Sequence, residues 1–209
     1  MPDHPARTVF LVDHEAREPV ETIAGERHAW RFRPHVHAGD EVVRVLAGRA
    51  RLHLPDGCSD VAAGDTLVVP AGVVHRFEPV DRRGWAFVSR FVPAARPASR
   101  EAGSLSARAA ALLAQRPSLR TDVAAIARSC AVSEGHLSRA FRRETGSSLH
   151  NFHVLFALQR AKALLRRQAP VVEAALAAGF FDQAHLNREF VRTWGMTPAV
   201  FRDGWAAAA

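Results

Sequence analysis

The sequence predicts two domains: an all-β first half, and an all-α second half with two helix-turn-helix units joined by a long helix. Three observations predict this. Short apolar runs broken by Gly and Pro turns fill residues 1 to about 92. From Leu105 the character changes to Ala, Leu and Arg at helical spacing. In that second half, His136-Leu137-x-Arg139-x-Phe141-x-Arg143-x-x-Gly146 recurs forty-nine residues later as His185-Leu186-x-Arg188-x-Phe190-x-Arg192-x-x-Gly195.

In the β half the runs are Glu41 to Leu46, Arg49 to Leu54, Thr66 to Val69 and Trp85 to Val92. Turn signals separate them: Ala47-Gly48, Pro55-Asp56-Gly57, Ala63-Gly64-Asp65 and Pro70-Ala71-Gly72. Runs of this length and spacing indicate a sandwich or a barrel. Arg49, Arg51 and His53 alternate on one strand face, opposite Ala50, Leu52 and Leu54, and are read as solvent-facing. The segment 92–99 carries Pro93 and Pro97 with few large side chains and reads as a linker. The expected boundaries are 1–92 for the β domain, 93–103 for the linker and 104–205 for the helical domain.

Helices are expected at about 104–115, 121–130, 134–145, 149–167, 171–178 and 183–193. The fourth is the longest, with Phe152, Leu155, Phe156, Leu158, Ala161, Leu164 and Leu165 as its apolar stripe. Arg160, Lys162, Arg166 and Arg167 are assigned to its remaining surface. At 1.5 Å per residue it spans ~28 Å, close to the ~34 Å between successive major-groove faces. It would serve as a rigid spacer between the two units. The end of the chain from Trp205 is expected to fray.

Charge separates the halves. Residues 1–95 carry 12 Arg against 13 acids, a net of −1, whereas residues 96–209 carry 16 basic residues against 8 acids, a net of +8. Base composition can explain why Lys162 is the only lysine, but not this asymmetry. A basic second half points to a polyanion partner. Cys58 and Cys130 fall in different domains and imply no disulfide framework. No apolar run is long enough to cross a membrane and the N-terminus has no apolar signal core, so no membrane role and a cytoplasmic location are expected.

Each copy of the repeat has a capping residue three positions before its His, Ser133 in one and Asp182 in the other. Each closes on a glycine. A capped, Arg-bearing helix closed by glycine is the pattern of a helix that enters a DNA groove. Val123, Ile126 and Ala127 supply the inner face of the first supporting helix, Ala131-Val132 the turn, and Leu137 and Phe141 the inner face of the recognition helix. Val171, Ala174, Ala175, Gly179-Phe180, Leu186 and Phe190 repeat this arrangement. Gly135, Ser138, Arg139 and Arg142 are left facing outward in the first unit. Gln183, Ala184, Asn187, Arg188 and Arg192 are left outward in the second.

The first unit, Ala127-x5-Ser133-x3-Leu137-Ser138-Arg139-x-Phe141-Arg142-Arg143-Glu144-Thr145-Gly146, resembles the first helix-turn-helix of the AraC/XylS family. Gly179-Phe180-x-Asp182-Gln183-x-His185-Leu186-x-Arg188-x-Phe190-x4-Gly195-x-Thr197-Pro198-x3-Phe201-Arg202 resembles that family's second unit and signature. Arg160-Ala161-x2-Leu164-Leu165 is similar to its connecting helix. The resemblance covers about a hundred residues. It implies a module with two recognition helices that binds promoter DNA and activates transcription, with RNA polymerase as a further partner. It places base reading at Gly135, Ser138 and Arg139 in the first unit and at Gln183, Ala184, Asn187 and Arg188 in the second. Gly135 departs from the larger residues often found at its position. Arginine can take guanine bidentately, and Gln183 or Asn187 can read adenine. The alternative for each arginine is a phosphate contact.

In the β half, His35-x-His37-x3-Glu41-x6-Gly48 and Gly64-x5-Pro70-x-Gly72-x2-His75 resemble the two signature motifs of the cupin superfamily. The resemblance implies a small β-barrel with His35, His37, Glu41 and His75 converging inside it. The second motif's usual terminal Asn falls at Pro79, a position that is not a ligand in the family. Three imidazoles and one carboxylate suit a divalent transition metal: Zn, Ni, Fe or Mn. The alternative is a metal-free polar pocket that binds an organic effector.

These features lead to a sequence-specific DNA-binding transcriptional regulator, not an enzyme, whose barrel senses a metal ion or small-molecule effector. Two readings compete with it. One is a cupin metalloenzyme, a dioxygenase or isomerase, tethered to a DNA-binding module. The other is a constitutive DNA binder with a purely structural barrel. About a dozen residues between Val92 and the first expected helix leave little room for a helical dimerisation segment. A monomer, or a homodimer through the barrel, is expected.

Overall fold

The computed structural model describes residues 8–16, 19–27, 33–94, 104–116, 119 and 121–206. The β half is built from β1 (Thr8–Asp13), β2 (Val20–Arg27), β3 (Asp40–Leu54), β4 (Gly57–Ala62), β5 (Thr66–Val69), β6 (Arg76–Pro79) and β7 (Trp85–Val92). Every pairing is antiparallel. The main path runs β1-β2-β7-β3-β4, and β5 and β6 add to β3.

The 15-residue β3 organises this half. Its first part pairs with β7 and β5, and its second part with β4 and β6. The change of partner falls at a register shift between Val45 and Ala47 and at Gly48, whose φ is +72°. A Cβ at Gly48 would stand 2.2 Å from the Gly84 carbonyl oxygen, so only glycine allows this crossing. Glu41, Val43 and Val45 share one parity of β3 and all three are buried. Arg49 and Arg51 project outward and pair with Asp60, as their alternation predicted.

The helical half contains α1 (Leu105–Ala114), α2 (Val123–Ser129), α3 (Glu134–Thr145), α4 (Leu149–Arg166), α5 (Val171–Ala178), α6 (Gln183–Trp194) and α7 (Pro198–Ala206). The first six match the expected helices to within a few residues. The expected linker lies outside the described residues except for Pro93 and Ala94. The seventh helix was not expected. Its Trp205 is no frayed end: the indole Nε1 donates to Glu21 Oε1 at 3.2 Å, and the ring edge meets His14.

The two halves share apolar packing. One buried cluster runs from Phe10, Val43 and Phe87 of the sheet into Leu158, Phe190 and Phe201 of the helices. The rings of Phe10 and Phe201 lie 4.9 Å apart. Gly204 makes this approach feasible, because a Cβ there would come within 2.6 Å of the Phe10 ring. A second cluster centres on Ile126, Leu137, Phe141 and Phe152 and includes Val74 of the β half.

Lys162, assigned to the surface of the fourth helix, is instead buried across this junction. Its Nζ donates to Glu21 Oε2 at 2.7 Å, and Arg166 donates to Glu21 Oε1 at 2.6 Å. The ammonium also lies 4.9 Å from the ring centroids of both Trp194 and Phe201. Pairing with a carboxylate and contact with aromatic faces are what allow a buried lysine to persist. No helix among the described residues is long and apolar enough to cross a membrane.

Candidate functional site

The expected metal-ligand set comes together. One potential ligand atom from each of His35, His37, Glu41 and His75 lies within 4.8 Å of the others, and all four residues are buried. His35 and His75 form an isolated backbone bridge, with each N–H donating to the other's carbonyl at 2.8 and 2.9 Å. Glu41 is the second residue of β3. The Pro-Gly turn before His75 is fixed by Gly72 N–H, which donates to the His37 carbonyl at 2.9 Å.

The ring nitrogens are oriented for a cation. Nδ1 of His35 faces the Arg33 carbonyl at 3.1 Å, and Nδ1 of His75 faces the Val73 carbonyl at 3.0 Å. A carbonyl only accepts, so both Nδ1 atoms carry the proton and Nε2 carries the lone pair. His75 Nε2, however, also lies 2.7 Å from Glu41 Oε2. Two acceptors therefore face this ring, an arrangement met either by an N–H on each ring nitrogen or by a cation held between Nε2 and the carboxylate. His37 Nε2 is buried, with no hydrogen-bond partner, 3.3 Å from Glu41 Oε2. The donor set therefore fits a metal.

Electrostatics point the same way. Burial pushes His35 well below the ordinary imidazole value, helped by His75 and His37. Burial also lowers His37, against the pull of Glu41. Burial alone would raise Glu41, but its contacts with His37 and His75 outweigh that and hold the carboxyl well below its ordinary value. Neutral imidazoles beside an anionic carboxylate are the protonation states that ligation needs.

A pocket of about 360 Å³, counting its open mouth, includes His35, His37 and Glu41 in its wall. Most of the remaining wall is apolar and aromatic, with Phe77 tilted against Trp85 at 5.1 Å and Trp85 stacked on Phe87 at 4.5 Å. The Trp85 Nε1 is buried without a hydrogen-bond partner, an unused donor in this wall. Thr193 and Trp194 also line the pocket, although they belong to α6. The sequence reading missed them. Their signal was helical spacing: with Leu186 and Phe190 they complete the inner face of α6.

In the helical half, all nine predicted DNA-facing residues are exposed. Gly135, Ser138, Arg139 and Arg142 stand on α3, and Gln183, Ala184, Asn187, Arg188 and Arg192 on α6. Ser133 Oγ accepts from His136 N–H at 3.2 Å, and Asp182 Oδ1 accepts from His185 N–H at 2.6 Å. The helices close on Gly146 and Gly195, both left-handed. Leu137, Phe141, Leu186 and Phe190 are fully buried. In the first unit the tight turn places Ala131 at φ +58°, a conformation uncommon outside glycine. Arg192 donates to Glu189 Oε1 at 3.1 Å, and Glu189 also takes Arg33 from the β half.

With this geometry in place, comparison with known proteins is informative. The family model of the AraC-like ligand binding domain matches residues 19–153, and that of a helix-turn-helix domain matches residues 126–204. This chain belongs to the AraC family. It is 31% identical over 171 residues to the HTH-type transcriptional regulator GlxA of Rhizobium meliloti, covering 73% of this chain and 51% of that protein. The HTH-type transcriptional activator RhaR of Cronobacter sakazakii is 32% identical over 79 residues, 37% of this chain and 28% of its own length. The acireductone dioxygenase of Rhodopseudomonas palustris (strain TIE-1) is 34% identical over 87 residues, 36% of this chain and 46% of the dioxygenase. The chain thus spans about half or less of the length of these relatives.

Proposed function

We propose that this AraC-family chain is a sequence-specific DNA-binding transcriptional regulator. It reads two neighbouring stretches of major groove through α3 and α6, and its barrel senses a metal ion or small-molecule effector. The observation that carries the DNA reading is the exposure of all nine outward residues on two capped helices whose inner faces are buried. Arg139 and Arg188 act as base readers or phosphate clamps, and Gln183 and Asn187 as adenine readers. Promoter DNA and RNA polymerase are the partners of this reading, with the chain acting as a monomer or as a homodimer through the barrel.

His35, His37, Glu41 and His75 would hold a divalent transition metal, Zn, Ni, Fe or Mn. When bound, such an ion supplies a Lewis-acidic centre with positions open to an oxygen donor. The chain's own groups orient the imidazoles through the Arg33 and Val73 carbonyls, and the aromatic wall excludes bulk water.

The similarity to a dioxygenase favours a second reading, a cupin metalloenzyme tethered to a DNA-binding module. The regulator reading is better supported. With the four donors on a metal, the remaining polar groups in the described wall are the hydroxyls of Ser89 and Thr193 and the indole N–H groups of Trp85 and Trp194, none of which is an acid or base. Thr193 Oγ1 already donates to the Glu189 carbonyl at 2.8 Å. Turnover of a candidate substrate by the metal-loaded protein would favour the enzyme.

Elemental mass spectrometry on protein purified without chelator tests the metal. The expected result is about one equivalent of a single transition metal, lost in His75→Ala. No metal after reloading with Zn, Ni, Fe and Mn salts would leave a polar pocket for an organic effector. Selection from random duplexes tests the DNA role, and recovery of no preferred sequence would exclude it.

A further inference from the structure

The pocket beside the His/Glu cluster is not closed by the β half alone. Thr193 and Trp194, the last two residues of α6, stand in its wall and are 1% and 4% exposed. The Trp194 ring is held by Phe190 at 4.4 Å and by the Lys162 ammonium at 4.9 Å. Asn187 and Arg188 lie on the outer face of the same helix, about 10 Å along its axis. One short helix thus presents side chains to DNA near its start and to the barrel pocket at its end.

The segment carrying His35 and His37 is also held by the helical half. Arg33 donates to Glu189 of α6. Asn151 Nδ2 donates to the Pro34 carbonyl at 3.3 Å, and Gln159 Nε2 donates to the Val36 carbonyl at 2.9 Å, both from α4. Glu189 in turn holds Arg192, an expected DNA contact. The first unit is connected differently. Its core includes Val74, next to His75, but no residue of α3 lines the pocket.

We infer that the effector pocket is a composite site in which Thr193 and Trp194 are ligand-contact residues, so that its occupant touches the second DNA-reading helix directly. This rests on the metal and DNA roles proposed above. A guest that contacts α6 in one helix position more favourably than in another has a different affinity for the two states, which is the requirement for shifting them. By linkage, DNA that favours one position of α6 changes the affinity of the pocket by the same factor. Direct contact with the occupant is confined to the second unit, because no residue of α3 lines the pocket.

Hydrogen–deuterium exchange on the full chain, with and without Co2+, tests this. Co2+ binding is followed independently by its visible absorption. On loading, amides in the last turn of α6 and in the segment 33–37 should exchange more slowly by about fivefold or more, the lower end of common site-to-site couplings. Amides of α3 should be unchanged. His75→Ala should abolish both Co2+ absorption and the α6 response. Trp194→Phe, which keeps a ring in the wall, should give a smaller α6 response when compared with wild type at equal Co2+ saturation.

Co2+ binding with protection confined to the β half would overturn the composite site and leave the metal role intact. An α6 response that persisted in His75→Ala, or was undiminished in Trp194→Phe, would also overturn it. Absence of Co2+ binding would overturn the metal role and the composite site together.

Discussion

Gly135 shows what a single residue contributes to the face of α3 proposed to read DNA. A Cβ at this position would stand 3.3 Å from a terminal nitrogen of Arg139, so the guanidinium lies folded back over the bare glycine. The residue that departs from the family's usual side chain is thereby a seat for the arginine one turn later. The exposed arginines of the two units can then be compared directly. Arg139→Ala and Arg188→Ala are each expected to weaken specific binding by about 1–3 kcal/mol if they read bases. Affinity measured on the preferred site and on scrambled DNA distinguishes the roles. An equal loss on both sequences would make the residue a phosphate contact. The four candidate ligands were legible because each of the two short motifs has a local spacing, and the cupin resemblance of those motifs implied that His75, 34 residues beyond Glu41, joins the other three. Lys162 was not: nothing along the sequence says that Glu21 stands opposite it, 141 residues away.

At the scale of elements, the recognition helices were legible through their ends. Ser133, Asp182, Gly146 and Gly195 are short-range signals, and each sits where a helix terminus requires it. Helix α7 was illegible for the opposite reason. It carries Gly204 in its interior, which lowers helix propensity, and that glycine is required by the Phe10 ring, a contact between the two halves. Under the DNA role proposed above the caps also carry function, because Gln183 and Ala184 occupy the first turn that Asp182 holds. Asp182→Ala is expected to destabilise the fold by about 1 kcal/mol and to weaken DNA binding more on the half-site read by α6 than on that read by α3. Footprinting of the variant on its selected site measures this. Equal loss at both half-sites would mean that the cap acts on global stability and not on presentation of α6.

At the scale of the whole molecule, the two halves act as one packed body whose polar centre is Glu21. Its carboxylate takes Lys162, Arg166 and the Trp205 indole, so α4 and α7 are both fastened to β2. Burial raises the pKa of Glu21, but Lys162 and Arg166 outweigh it and bring the group below its ordinary value of 4.5. Burial lowers Lys162, against the pull of Glu21. A carboxyl depressed in the folded state stabilises fully above its unfolded value, and that contribution is lost as pH falls through the folded value. Glu21→Gln removes the charge and leaves Lys162 buried without a counter-ion, a change that costs about 3–5 kcal/mol in comparable buried pairs. Near neutral pH the variant should therefore unfold at a clearly lower temperature than wild type. As pH falls from about 6 to about 3, wild type should lose stability faster than the variant, so the gap between them narrows. Calorimetric unfolding of both proteins across that range checks it. Two curves that stay parallel would mean that Glu21 does not titrate with folding and that the apolar cluster alone joins the halves. If the gap narrows, this ion pair helps to fasten α4 to the β half that carries the pocket, and under the DNA role proposed above it contributes to the placement of α3 and α6.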